Sequence, residues 1–270
     1  MSRIEEALEK AAQLRIDPTP IMSAGRTFPK KHLPPPLPTQ TIKVTNRLLV
    51  TANDPHTPAA EEYRKLKSII VKLTQGEHFK NMLMVTSSIG NEGKSITALN
   101  LALSLAQEHD HTVVLVDADI RKPAIHDYLG LENKLGLTEC LRDGRDVKDA
   151  LINTGIGRLS VLPAGRMVQN PAEIFSSQRF RDFFLEMKNR YHDRYIIIDT
   201  PPVLPFAETR LLSPLVDGVV LVVKEGLVTL DNISETLECL KGTDILGIVY
   251  NEATQYDNAG FEYYRQGVAA

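Results

Sequence analysis

Apolar runs recur along the chain at Leu83–Val85, Val113–Val116, Tyr195–Ile198, Gly218–Val223 and Ile245–Tyr250. Each is too short for a helix core and lacks the alternation of a half-exposed strand, so each predicts a strand buried on both faces. Leu159-Ser-Val-Leu162 predicts a further strand. Between these runs, apolar residues return at helical spacing over Pro58 to Leu73, Ser95 to Gln107, Ser177 to Tyr191 and Asp231 to Leu240. Strands separated by helices define an α/β chain, with a mostly parallel central sheet and helices on both faces.

The N-terminal region has a different texture. Ser2 to Arg15 reads as a short amphipathic helix, with Ser2 and Glu5 as a capping box and Ile4, Ala7, Leu8, Ala11 and Leu14 on one face. Seven of the sixteen prolines then fall in residues 17–40, which marks a semi-extended spacer rather than a folded element. The expected organisation is a helix over 1–16, a Pro-rich linker over 17–46, a nucleotide-binding domain over 47–252 and a tyrosine-containing tail over 253–270.

The candidate chemistry sits where these runs end. After the first run comes Gly90-Asn91-Glu92-Gly93-Lys94-Ser95, followed by Ile96 and a helical pattern. A strand, a glycine-bearing turn and a helix make a phosphate cradle: backbone N–H groups and the helix N-terminus attract phosphate, Lys94 reaches the β/γ oxygens, and the Ser95 hydroxyl ligates Mg²⁺. Ser88 occupies the first glycine position of the strict G-x-x-x-x-G-K-[ST] pattern, so the match is incomplete. The second run ends at Asp117, before Ala118-Asp119-Ile120-Arg121, and the Tyr195 run ends at Asp199, before Thr200-Pro201-Pro202. Ligands collect at the carboxyl ends of parallel strands, so Lys94, Asp117 and Asp199 are expected to converge on a metal–nucleotide site.

Composition narrows the class. A formal charge of −3 gives no overall basic signature for nucleic acid. Cys140 and Cys239 lack metal-ligand or redox spacing, which favours a reducing cytoplasm over a disulfide framework. No apolar stretch has the length of a membrane span and no signal-peptide core is present, so a membrane role is expected only through a partner or a peripheral contact.

Together the three segments resemble the Walker A, Walker A′ and Walker B motifs of bacterial tyrosine kinases, a family of P-loop NTPase fold that controls exopolysaccharide and capsule synthesis. The resemblance spans residues 48–252, and Met1–Lys10 is similar to the opening of the stand-alone, exosortase-associated branch. Family members usually read Pro-Gly-Glu-Gly-Lys-[Ser/Thr]; here Gly90 and Asn91 replace the first two residues. Leu162–Gly165 and Asn170–Glu173 resemble the loop before Walker B. Glu61, Arg64 and Lys67 match an E-x-x-R-x-x-R subunit-interface motif, with lysine in the final place. The resemblance implies a homo-oligomer, with a ring as the family assembly, and an activating partner in the cytoplasmic tail of a membrane polysaccharide co-polymerase.

It also implies MgATP as the phosphoryl donor. Ser95, Asp117 and Asp199 would then serve the metal, Lys94 the phosphates, and Asn251 the adenine. Asp117 is the expected acceptor of the tyrosine proton, with Asp119 orienting it; Arg121 would meet phosphate or a neighbouring subunit. Tyr256, Tyr263 and Tyr264 would be phosphorylated in trans. Two other readings share these segments: a nucleotide-switched partitioning ATPase, and a weakly active ATP-binding regulator of a polysaccharide co-polymerase. Ile89 stands where the partitioning class carries its signature lysine, which favours the kinase.

Overall fold

The computed structural model describes Ile42, residues 44–107, residues 111–191 and residues 193–254. The expected N-terminal helix, nearly all of the linker, and Tyr256, Tyr263 and Tyr264 lie outside these residues.

The helices are α1 (Val50–Asn53), α2 (Pro58–Thr74), α3 (Lys94–Ala106), α4 (Ile125–Leu129), α5 (Leu137–Asp143), α6 (Val147–Ala150), α7 (Pro171–Ser176), α8 (Gln178–Arg190), α9 (Glu208–Leu212) and α10 (Leu230–Cys239). The strands are β1 (Met82–Ser87), β2 (Val113–Asp117), β3 (Ile152–Asn153), β4 (Leu159–Leu162), β5 (Tyr195–Asp199), β6 (Gly218–Lys224) and β7 (Ile245–Asn251). They form one sheet in the order β3-β4-β2-β5-β1-β6-β7. Every pairing is parallel except the two-residue β3, which runs antiparallel on the β4 edge. A doubly wound, three-layer P-loop fold results.

Alternate residues of the central strands feed two separate cores, which is why those strands lack polar alternation. Met82 and Met84 pack into one layer with Phe175, Phe180 and Phe184, whereas Leu83 and Val85 pack into the other with Leu99, Leu103 and Ile70. The second layer is built around α3, whose residues from Thr97 to Ala106 are all buried. A helix apolar all round must be covered all round, and α1 and α2 supply the outer cover.

The polar residue inside α3 fastens that cover. Asn100 is fully buried, and its Oδ1 accepts from the Thr51 amide at 3.2 Å and the Thr51 hydroxyl at 3.0 Å. Its Nδ2 donates to the carbonyls of Leu48 (2.9 Å) and Ile96 (3.0 Å). The entry to the domain is therefore hydrogen bonded to the second turn of α3.

The short helices α4–α7 and α9 were not legible as helical periods, because each is one or two turns long. Their boundaries are set instead by turn residues such as Gly130 and Gly144, both left-handed, and by Pro171 at the first turn of α7.

Candidate active site

The phosphate-loop candidate leaves β1 at Ser87, in the middle of the sheet, and turns directly into α3. Two residues make the turn with positive φ: Asn91 (67°) and Gly93 (90°). Asn91 stands where family members carry glycine, and asparagine is among the side chains that best tolerate this region. At Gly93 the need is also steric, since a Cβ there would collide with the Asn251 carboxamide. Gly93 caps α3 without a side-chain bond. The loop amides lead straight into the first turn of α3, and backbone N–H groups gathered at a helix N-terminus make an anion cradle.

Glu92 behaves differently from its neighbours. Its side chain is fully buried, with Oε1 accepting from the Ile89 amide at 2.7 Å and Oε2 from the Lys224 amide at 3.3 Å. Burial raises its pKa, and the backbone donors pull it part of the way back. Asn251, at the end of β7, donates from Nδ2 to the Glu92 carbonyl at 2.9 Å.

The two strand-end acids face the same cradle. Asp117 and Asp199 are paired in register on β2 and β5, and Asp199 also pairs with Val85 of β1. The segment after β5 is stitched to β1: Thr200 and Val203 donate to the carbonyls of Val85 (3.2 Å) and Ser87 (2.8 Å). Pro201 and Pro202 cannot donate, but the Pro201 carbonyl accepts from the hydroxyls of Thr86 (3.0 Å) and Thr209 (2.6 Å). That stitching holds Asp199 level with the start of the loop.

Asp117 is fully buried and satisfied. Its Oδ2 accepts from the amides of Ala124 and Ile125, each at 3.1 Å, and its Oδ1 from the Asp119 amide at 3.2 Å. Asp199 is equally buried, yet neither of its carboxylate oxygens is hydrogen bonded. Lys94 Nζ stands 3.9 Å from Asp199 Oδ1, 2.8 Å from Asp119 Oδ2 and 3.2 Å from Ser95 Oγ. Burial, reinforced by the charge of Asp199, drives Asp117 up to about 8. Burial raises Asp199 to about 6, opposed by the Lys94 charge and the nearby Ser95 hydroxyl. For Lys94, burial pushes the ammonium down, but Asp199 and Asp119 outweigh it and the net shift is upward.

An orphaned, buried carboxylate beside a serine hydroxyl and a lysine fits a divalent cation. Mg²⁺ takes one or two carboxylates, with phosphates and waters completing its shell, so a full protein cage is not needed.

The remaining expected residues fall in different places. Arg121 is turned onto Glu208: its Nε donates to Oε1 at 2.9 Å, and its guanidinium lies 4.5 Å from the centroid of the Phe206 ring. Glu61 pairs with Arg64 on the surface of α2, and Arg64 also donates to the Pro55 carbonyl. Lys67 lies on the same helix and is half-buried. Sequence reasoning missed Glu208, Phe206 and the inward turn of the Glu92 side chain, because nothing in local spacing announces a tertiary partner.

Fold and site together define a P-loop NTPase of the kind that binds a nucleotide with a divalent metal. A family profile described as "ParA: NUBPL iron-transfer P-loop NTPase" matches residues 78–262. Among relatives, the chain is 32% identical over 220 residues to the tyrosine-protein kinase YwqD of Bacillus subtilis, covering 81% of this chain and 91% of that protein. It is 30% identical over 224 residues to the putative tyrosine-protein kinase CapB of Staphylococcus aureus, covering 82% and 96%. The solved kinase domain of the Escherichia coli tyrosine kinase ETK superposes with a TM-score of 0.69 at 28% identity, covering 77% of this chain and 82% of that one. The chain belongs to the bacterial tyrosine-protein kinases, within the ParA-type P-loop NTPases. Among the described residues no helix is long and apolar enough to cross a membrane.

Proposed function

We propose that this protein is an autokinase that moves the γ-phosphoryl group of MgATP to tyrosines near its own C-terminus, in trans, and so regulates exopolysaccharide synthesis or export. The observation that carries the reading is Asp199: a buried carboxylate without a hydrogen-bond donor, beside Ser95 and Lys94, where the glycine-bearing loop enters α3.

The amides of residues 90–96 and the Lys94 ammonium bind and orient the β and γ phosphates; phosphoryl transfer needs little more than positioning and charge neutralisation. Ser95 and Asp199 would hold the magnesium ion, with Asp117 contributing from the adjacent strand end. When bound, that ion neutralises charge on the β- and γ-phosphate oxygens. Asp117, at the strand end next to Asp199, accepts the tyrosine proton. Asp119 holds Lys94 in place and, through its amide, orients Asp117.

Tyr256, Tyr263 and Tyr264 are the acceptors. They are presented by the next subunit of a homo-oligomer, ring-shaped in the family manner, assembled through Glu61, Arg64 and Lys67. The chain works in the cytoplasm and is drawn to the inner membrane by the cytoplasmic tail of a polysaccharide co-polymerase. Incubation of the purified protein with MgATP, with and without that tail as a peptide, followed by phosphotyrosine mapping, tests the reading. Phosphate on the three tail tyrosines supports it. ATP hydrolysis with no phosphotyrosine under either condition contradicts it.

A further inference from the structure

Glu92 is a fully buried acid inside a loop that must attract phosphate, and the transfer chemistry does not use its carboxylate. Its partners explain why it is there. Oε1 closes the loop on itself at Ile89, and Oε2 reaches the backbone of Lys224 at the end of β6. The Glu92 carbonyl is held by Asn251, the residue paired with Lys224 at the end of β7. The loop is thus fixed from the β6–β7 side as well as by β1 and α3.

That side is also where the chain leaves the sheet. The Glu225 amide donates to the Asn251 carbonyl at 3.0 Å, and Lys224 Nζ pairs with Glu252 Oε2 at 2.5 Å. Glu252 turns the chain with φ of 53°. Thr254 then donates to the Glu225 carboxylate from both its amide and its hydroxyl, the latter at 3.0 Å. The contacts run without a break from Ile89 through Glu92, Lys224, Asn251 and Glu225 to Thr254, two residues before Tyr256.

We propose that Glu92 is a positioning residue for the nucleotide phosphates, and that its brace makes the root of the tyrosine-bearing segment part of the phosphate loop's support. The proposal rests on the kinase reading for the identity of that segment, but not for the brace itself. A tail pulled toward a neighbouring subunit loads Thr254 and Glu225, and the strain reaches the loop through Lys224 and Asn251. Acceptor engagement and nucleotide affinity are then linked, and linkage acts in both directions.

The test is the affinity of the full-length protein for a fluorescent ATP analogue with Mg²⁺, with thermal unfolding measured alongside. Glu92→Gln places an amide donor against a backbone donor, and it should weaken binding about tenfold, raising KM for ATP while kcat at saturation stays within about threefold. Glu225→Ala cuts the Thr254 clasp together with the Glu225 contact to the Tyr250 hydroxyl, and should weaken binding about threefold with little change in Tm; Thr254→Val, which removes the hydroxyl bond of the clasp and leaves the Tyr250 contact, should weaken it in the same direction. Asn251→Ala releases the loop from the β7 side and stands in for Glu92→Gln if that variant fails to fold, its affinity then being read with Mg²⁺-tripolyphosphate, which has no adenine for Asn251 to meet. Affinities within twofold of wild type for Glu92→Gln (or for Asn251→Ala in its place), or an unaltered affinity for Glu225→Ala, overturn the proposal. Normal nucleotide binding by the wild type without any phosphotyrosine would remove the kinase reading and leave the brace to be judged on these affinities. A wild type that binds no nucleotide would remove both.

Discussion

Asp117 and Asp199 end neighbouring parallel strands in register, both wholly out of contact with solvent, yet only Asp117 has hydrogen-bond donors. Three backbone amides hold Asp117, and none holds Asp199. The same substitution at the two positions should therefore have opposite effects on the nucleotide-free fold. Asp199→Asn removes a buried charge whose desolvation Lys94 offsets only in part, and should stabilise the protein by on the order of 2 kcal/mol while abolishing phosphoryl transfer. Asp117→Asn sets a carboxamide N–H₂ against backbone N–H groups and should destabilise by about 1–3 kcal/mol. Denaturant melts of the two variants in chelator check the pair.

The two acids also set a pH dependence. Burial lifts both above the ordinary carboxylate range in the fold, to about 6 for Asp199 and about 8 for Asp117. A raised acid contributes stability that is complete below the unfolded pKa and is lost as pH rises through the folded one. The nucleotide-free protein should therefore lose several degrees of Tm between pH 5.5 and 8.5, at about 2–4 °C per kcal/mol for a domain of this size. The loss should shrink in Asp199→Asn. Thermal scans across that range decide it, and a flat difference between wild type and variant would count against the assignment.

Arg121 and Glu208 form the latch between the segment after β2 and α9, with one carboxylate oxygen of Glu208 otherwise unpaired. Arg121→Ala leaves that buried acid alone and should cost about 1–3 kcal/mol, less than a wholly buried pair because the arginine is partly exposed. Adding Glu208→Gln should recover a good part of the loss. The double-mutant cycle gives the coupling; strict additivity would show that the pair contributes nothing.

Much of this was legible in the sequence, for identifiable reasons. The strands were readable because a sheet covered on both faces needs unbroken apolar runs, and the helices because α2, α3, α8 and α10 complete several turns. The loop and the strand-end acids were readable because phosphate binding demands glycine and lysine at fixed spacing, at the carboxyl ends of strands. Asn91 was readable as a tolerated substitute for glycine, and its φ of 67° shows the backbone reason. What could not be read were side chains whose partners lie far along the chain. Glu92 answers to Lys224, Arg121 to Glu208, and Asn100 to Thr51. Sequence suggested phosphate or a neighbouring subunit for Arg121, and it gave no sign of the buried acid 87 residues later on which its guanidinium rests. Local patterns carry no information on such pairs.

Phosphoryl transfer between subunits is the central claim, and a mixing experiment reaches it directly. One partner carries Lys94→Met and can only accept; the other carries Tyr256→Phe, Tyr263→Phe and Tyr264→Phe and can only donate. Removing the Lys94 charge should lower transfer by a factor on the order of 100 or more, so Lys94→Met alone should gain no phosphate. Mixed with MgATP, the Lys94→Met protein should acquire phosphotyrosine at residues 256, 263 or 264, resolved by mass spectrometry of a size-tagged acceptor. An acceptor that stays unmodified beside a donor that hydrolyses ATP would contradict the account.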